Sequence, residues 1–440
     1  MGIEAIEERY RELTPESREL FEEGREVNAG AAKGAYYYAP YPLTFRRGSG
    51  CELDDVDGRT YVDFGNHHTA QVLGHNHPAV VIAVRSQLSD GIALGGPMGV
   101  ETKIAKHMCD RVSSLDRIRF VNSGTEASLH AIRLARQFSG KPKVAKFEGG
   151  YHGSHDAVEV SVSPNLEDAG DPREPKAVAT AGGMAPHSVD DTIVLPYDDE
   201  ESLERLLSRH REDLACVIMD PKAGILPQRP EFVRRVRDVT RDLGMIMIFD
   251  EIVGFRQARG GLQSHYEIEP DLTCFGKIIG GGFPVGAFGG RADLMDQLDN
   301  SKGSSTVFQS GTHSAHAVAM AAGLATLEQL TDDAHAHLNG LGSRLKTGLD
   351  KLFGDRGVVA HVVVMGSVFS IHFGIEEVRT YRDMASADKE TGLAVFMSLL
   401  NQGFFLSQGL GMCAISLPTE GEHIDALVEA IGIALDEIED

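Results

Sequence analysis

The chain has no tryptophan among its 440 residues and only five cysteines, Cys51, Cys109, Cys216, Cys274 and Cys413. None of them form a C-x-x-C pair, and their number is odd. Neither a disulfide framework nor a zinc site is expected, and a reducing, cytoplasmic setting fits. No apolar run approaches the ~18 residues that a membrane-crossing helix requires. The residues from Met1 to Glu8 carry no basic flank before an apolar stretch, and Ile6 stands where myristoylation wants Ser or Thr, so no signal peptide or lipid anchor is expected. Positive charge is also scarce: 42 Lys and Arg face 65 Asp and Glu, a formal net charge of −23. Such a surface repels nucleic-acid phosphates and anionic membranes and argues against both as partners. It does not exclude a small anionic ligand, because the field inside a site is local.

The content that remains is ordinary for a globular protein, with 42% hydrophobic and 24% charged residues. The length exceeds that at which one core keeps growing, so a large domain and a smaller one are expected. Residues 3–25 read as one charged amphipathic helix. Strands are expected around Cys51–Asp54 and Thr60–Phe64, joined by an Asp57-Gly58 hairpin turn. From residue 78 the pattern alternates. Strands are expected at Arg117–Val121, Val144–Phe147, Thr192–Leu195, Leu214–Met219, Met245–Asp250 and Leu272–Gly276, with amphipathic helices between them. That alternation implies an α/β domain with a mostly parallel sheet. The Pro- and Gly-rich residues 161–190 read as a surface excursion near a site. The boundaries follow: an N-terminal segment 1–77 contributing to the small domain, a large domain 78–330, and a C-terminal α+β domain 331–440.

Three motifs carry chemistry. In the first, Phe120-Val121-Asn122-Ser123-Gly124-Thr125-Glu126-Ala127, a strand ends and small residues open a helix. The open N–H groups and positive end of a helix suit a phosphate, although a plain N-cap by Ser or Thr reads equally well there. In the second, Ile246–Phe249 leads into Asp250-Glu251, two carboxylates at a strand end, where ligands of open α/β sheets sit. A buried carboxylate needs a partner, and a protonated pyridine nitrogen would be one; a structural or metal-binding acid pair is the competing reading. In the third, Lys277 follows an apolar strand and precedes Gly280-Gly281-Gly282. Apolar surroundings lower a lysine's pKa and make it a nucleophile for carbonyls, whereas a lone lysine at a loop edge is usually just solvated.

Taken together and in this order, the three motifs resemble those of fold-type I pyridoxal-phosphate enzymes, of aspartate-aminotransferase-like fold. More closely, the chain looks like the class III aminotransferases, in the branch that holds glutamate-1-semialdehyde 2,1-aminomutase. The resemblance spans roughly residues 38–435. It implies a large domain with a mostly parallel seven-stranded sheet, a small α+β domain, and pyridoxal 5′-phosphate as cofactor. It implies that Lys277 holds the cofactor as a Schiff base and shuttles protons. Asp250 would pair with the ring nitrogen, Ser123, Gly124 and Thr125 would hold the phosphate, and Tyr151, in Gly150-Tyr151-His152-Gly153, would stack on the ring, with His152 beside it as a further cofactor-binding residue. Thr312 would reach the phosphate of a neighbouring subunit, which implies a homodimer with shared active sites. The activity implied is transfer of an amino group from an amine donor to a keto acceptor, with intramolecular transfer, as in the aminomutase, as the alternative. No metal is expected.

The departures from the aminomutase pattern lie on the substrate side. The arginine with which that enzyme grips a carboxylate is absent from Val27–Lys33, where Lys33 is the nearest cation, and lysine lacks the bidentate fork. His68 stands about where the aminomutase places a tryptophan. Gln408-Gly409-Leu410-Gly411 lies where a pocket glutamate is expected, and Ile225 replaces an asparagine. Arg256 is the other cation in view for a substrate carboxylate, a surface role being the competing reading. Tyr38–Thr44 and Ser416-Leu417-Pro418 are similar to aminotransferases acting on β-amino acids with aromatic groups.

Overall fold

The computed structural model describes residues 3–30, 36–222, 224–226, 228–303 and 306–439. Contacts divide the chain into two compact units. The first comprises the chain up to Pro78, Ala336–Glu377 and the chain from Ser386 onward; the second comprises Ala79–His335 and Val378–Ala385.

The first unit opens with two helices, Ile3–Leu13 and Pro15–Val27, where the charge pattern suggests one. Pro15 lacks the N–H that would continue the first helix, and its fixed φ suits the first turn of the second. Strands β1 (Phe45–Ser49), β2 (Glu52–Asp55) and β3 (Thr60–Asp63) form an antiparallel meander. The Asp57-Gly58 turn falls between β2 and β3, with Gly58 at φ 84°.

The second unit is built on a seven-stranded sheet. Its strands are β4 (Arg117–Val121), β5 (Lys143–Phe147), β8 (Thr192–Leu195), β9 (Leu214–Met219), β10 (Ile246–Asp250), β11 (Leu272–Gly276) and β12 (Gly286–Gly290). The two-residue strands β6 (Gly170–Asp171) and β7 (Glu174–Pro175) form a small hairpin in the excursion between β5 and β8. The order across the large sheet is β4-β12-β11-β10-β9-β5-β8. Strands β8, β5, β9, β10 and β11 pair in parallel, and β12 runs antiparallel to both β11 and β4. Residues of β9, β10 and β11 are fully buried, because helices such as Gly124–Ser139 cover the sheet.

Strand β12, Gly-Ala-Phe-Gly-Gly, has little intrinsic preference for a strand, and sequence pattern does not disclose it. Backbone proximity requires its glycines. A Cβ on Gly286 would lie 2.0 Å from the Ser123 carbonyl oxygen, and one on Gly290 would lie 2.1 Å from that of Asp271.

Val378–Ala385, from the C-terminal quarter of the chain, also belongs to the second unit. Its Arg382 makes a two-pronged ion pair with the buried Glu148 beyond β5, both contacts at 3.0 Å. Tyr381 donates to the Pro164 carbonyl at 2.8 Å.

The rest of the first unit contains β13 (Ala360–Met365), β14 (Val368–Phe373), β15 (Phe404–Phe405) and β16 (Cys413–Ala414). Strand β15 adds to β3 in parallel, while β13, β14 and β16 form a separate antiparallel sheet. Helices Lys389–Asn401 and Gly421–Glu439 bury their apolar faces in the same unit. Among the described residues, no helix is long and apolar enough to cross a membrane.

Candidate active site

Strands β10 and β11 are parallel, with Asp250 opposite Cys274, so their C-terminal ends emerge on one edge of the sheet. Asp250 ends β10 and is 3% exposed. Its Oδ2 lies 2.8 Å from His152 Nδ1, and its Oδ1 accepts the Ile252 N–H at 3.1 Å. Burial pushes the Asp250 carboxyl up to about 7, against the pull of the Ile252 hydrogen bond and the nearby Lys277 and Lys222 charges. Burial, helped by the charge on Lys146, lowers the His152 pKa and keeps the ring neutral. A neutral ring that meets a carboxylate through Nδ1 carries its proton there, and His152 Nε2 is left buried with no hydrogen-bond partner. Asp250 is therefore held by neutral donors. A cationic ring nitrogen is the type of group that would restore its charge.

The neighbouring acid has a different role. Glu251 turns into the Gly261–Gln263 segment, where Oε1 accepts the Gln263 N–H at 2.8 Å, and burial raises its pKa to about 7 as well. Among the described residues no group of three or more acids, histidines and cysteines is placed to hold a metal ion.

Lys277 follows β11 directly and begins a short 3-10 turn, Lys277–Gly280, with φ at +51°. A left-handed backbone at a non-glycine residue costs about 1–2 kcal/mol, and such strain tends to collect at functional sites. Burial lowers the Lys277 amine to about 8; Asp220 and Asp250 oppose that shift, and Arg256 and Lys222 reinforce it. An appreciable neutral fraction is then present near neutral pH, as a nucleophile or base requires.

At the other end of the sheet edge, β4 runs into helix Gly124–Ser139. Ser123 caps this helix by accepting the Glu126 N–H at 3.2 Å, and Glu126 in turn accepts the Asn122 N–H at 3.0 Å. Capping uses the acceptor side of Ser123 and leaves its O–H available as a donor. The Gly149–Gly153 loop packs on the same turn. Gly153 has φ +101°, and a Cβ there would lie 2.6 Å from Thr125 Cα. Thr125 Oγ1 also accepts the Ser154 N–H at 3.2 Å. Within this loop His152 points inward to Asp250, while Tyr151 is 52% exposed. Thr312 is exposed, in the turn before helix Ala317–Gln329.

The substrate-side candidates are dispersed. Lys33 lies outside the described residues. His68 and Gln408 belong to the first unit, apart from the unit that carries Lys277 and Asp250. His68 sits in a left-handed turn of four successive residues, Asn66 to Thr69, with φ between 47° and 72°. The Tyr36 ring packs edge-on to His68 at 4.4 Å, and its hydroxyl lies 2.9 Å from His67 Nδ1. Gln408 is exposed in a 3-10 turn, Gln408–Leu410. Arg256 is 1% exposed, so the surface reading is excluded; burial lowers its pKa to about 9, and its charge is felt at Lys277. Sequence reading missed Lys146, Asp220 and Lys222, three buried charges beside this edge. The available signal was their position at or just beyond the ends of apolar strands, the same signal that marks Asp250.

Fold and sheet edge together define the class: a fold-type I pyridoxal-phosphate enzyme. The donor set fits that cofactor, with an acid for the ring nitrogen, an amine of lowered pKa for the aldehyde, and a capped helix start with hydroxyls for the phosphate. The family model for class-III aminotransferases matches residues 34–431, and the chain belongs to that family. Pyridoxal 5′-phosphate is its cofactor, as in a solved transaminase of this fold with that group bound. The glutamate-1-semialdehyde 2,1-aminomutase of Methanothermobacter thermautotrophicus is 37% identical over 94% of this chain and 97% of its own. An omega-transaminase from Sphaerobacter thermophilus is also 37% identical, with a TM-score of 0.92 over 96% of this chain and 98% of its own. A beta-phenylalanine aminotransferase from Variovorax paradoxus is 34% identical, with a TM-score of 0.88 over 99% and 97%.

Proposed function

We propose that this enzyme moves an amino group from an amine donor to a separate keto acceptor, with Lys277 and Asp250 as its catalytic pair. The observation that carries the reading is their placement: a lysine lowered to about 8 and a buried acid raised to about 7, on adjacent parallel strand ends within reach of each other's charge.

Pyridoxal phosphate, when bound, supplies a ring that takes up the charge left as the carbon beside the amine loses its proton. The protein's part is to place and hold protons. The Lys277 amine, neutral in part because it is buried, takes the proton from the substrate carbon and returns it elsewhere. The Asp250 carboxylate keeps a proton on the ring nitrogen. His152 fixes Asp250 by donating from Nδ1, so the carboxylate cannot turn away. Ser123, Gly124 and Thr125 bind the phosphate through the helix start and two hydroxyls. Tyr151 would cover the ring face, and Thr312 would serve the site of a second copy in a homodimer. The five cysteines are free, which supports a reducing, cytoplasmic setting. The donors in view are β- or aromatic amino acids, with Arg256, His68, Gln408 and Lys33 as candidate substrate residues.

The second reading is intramolecular transfer. The names of the curated relatives favour it over the first. The missing arginine of the Val27–Lys33 stretch and the substituted pocket positions favour the first. A single-substrate assay separates them. Given an amine donor alone, a transaminase converts one equivalent per site and stops until a keto acid is added. Given glutamate 1-semialdehyde alone, an aminomutase turns over continuously, and that outcome would replace the first reading with the second.

A further inference from the structure

Two buried lysines of the second unit have no part in the chemistry above. Lys146, on β5, is fully buried and donates to the carbonyls of Gly150 at 2.8 Å and of Val160, which accounts for it as a support of the loop that carries Tyr151 and His152. Lys222 is placed differently: among the described residues its ammonium has one ion-pair partner, Asp220. It lies three residues beyond β9, the next strand along the sheet from β10, and is 9% exposed. Its backbone is left-handed, φ +52°, in a non-glycine residue. Its N–H donates to Asp220 Oδ1 at 2.8 Å, and its ammonium lies 3.6 Å from Asp220 Oδ2, a distance that leaves donors for another acceptor. Its charge is felt at Lys277, Asp250, His152 and Lys146 together, which places it among them.

The order of the sheet indicates what faces it. A ring with its nitrogen at Asp250 and its aldehyde carbon at Lys277 has one axis fixed. Its phosphate arm would then point toward β4 and the helix that follows, where the helix start offers N–H groups. The phenolic oxygen, on the opposite flank of the same ring, would then point toward the end of β9, where the chain presents Asp220-Pro221-Lys222. The aliphatic side chain of Ile225, further along this loop, offers that oxygen no donor.

We propose that Lys222 is a cofactor-site residue whose ammonium ion recognises the phenolic oxygen of the ring and holds it as the anion. The proposal rests on the cofactor placement given under Proposed function. The charged and titratable groups around the ammonium are Asp220 from its own loop, Lys146 from β5, His152 from the following loop, Asp250 from β10 and Lys277 from beyond β11. Among the described residues Asp220 is the one in ion-pair contact with it.

The test compares two cofactors on the full-length protein. Wild type, Lys222→Met and Lys222→Arg are stripped of cofactor and reloaded with pyridoxal 5′-phosphate or with its 3-deoxy analogue, which lacks the phenolic oxygen. Dissociation constants are read from the visible band and from fluorescence. Lys222→Met should weaken pyridoxal phosphate about ten-fold, the scale of one charge-assisted hydrogen bond, and leave the analogue unchanged. Lys222→Arg should keep most of the affinity. Equal weakening of both cofactors would reduce Lys222 to a packing role and overturn the proposal, as would no weakening of either. If Lys222→Met does not fold, Lys222→Gln takes its place in the same comparison. A second readout is the pH at which the band of the cofactor–Lys277 linkage changes. Removing the ammonium should raise that midpoint by about one unit, and Asp220→Asn should lower it. A midpoint unmoved in Lys222→Met overturns the proposal while the wild-type band stands. Absence of any Lys277-dependent band in wild type would instead overturn the cofactor placement itself.

Discussion

The strand ends around Asp250 and the turn around His68 hold polar groups in opposite ways. Asp250 sits at the end of a regular, fully buried strand, and a buried histidine fixes its carboxylate. His68 belongs to four consecutive left-handed residues, with exposed His67 on one side and Tyr36 packed against it. The first arrangement takes its rigidity from the buried core of the sheet. The second stores backbone strain of about 1 kcal/mol or more per residue, which only a local requirement would retain. On the proposed function the strand ends carry the proton chemistry, and the turn is the place to test for substrate fit.

The largest test of that division is Lys277→Ala. It should remove the visible cofactor band and lower kcat about 10^4-fold or more, measured on purified protein with saturating donor and acceptor. Asp250→Asn should keep the cofactor and lose about 10^2 to 10^3-fold in kcat, because a neutral amide cannot keep the ring nitrogen protonated. A loss below ten-fold would take Asp250 out of the pair.

The same acids predict a pH effect on stability. In the cofactor-free protein, Asp250 and Glu251 have folded-state pKa values raised to about 7, above the ordinary carboxylate range. Their contribution is therefore fully present at pH below about 4 and is lost as the pH rises through about 7. Urea midpoints of the cofactor-free wild type should fall over that window. Asp250→Asn should flatten the fall, by up to about 4 kcal/mol. The smallest effect belongs to the turn: His68→Ala should leave the cofactor band unchanged and kcat within about three-fold, while KM for an aromatic donor shifts several-fold. A lost band in His68→Ala would dissolve the contrast.

Much of the cofactor edge was legible in the sequence, because strands buried on both faces read as unbroken apolar runs and ligands gather where such runs end. Asp250, Lys277 and the Ser123–Thr125 helix start were singled out in that way, and the structure places them along one edge of the sheet. Strand β12 was not, since its glycines record the closeness of other backbones, and pattern is blind to distance. The bond from His152 to Asp250 was invisible because 98 residues separate its partners. The break at Pro15 was missed because the charge pattern runs through it unchanged.

The ion pair of Arg382 with Glu148 has a consequence for biosynthesis. During translation, the sheet-bearing unit acquires every one of its large-sheet strands by residue 290 but must wait almost a hundred residues more for the arginine that neutralises one of its buried acids. A nascent chain released before that point would leave the buried Glu148 without its two-pronged ion pair. Completion of the larger unit is thereby tied to near-completion of the polypeptide, and a gene fragment cut at the apparent seam near residue 330 would encode a unit that lacks one of its own parts.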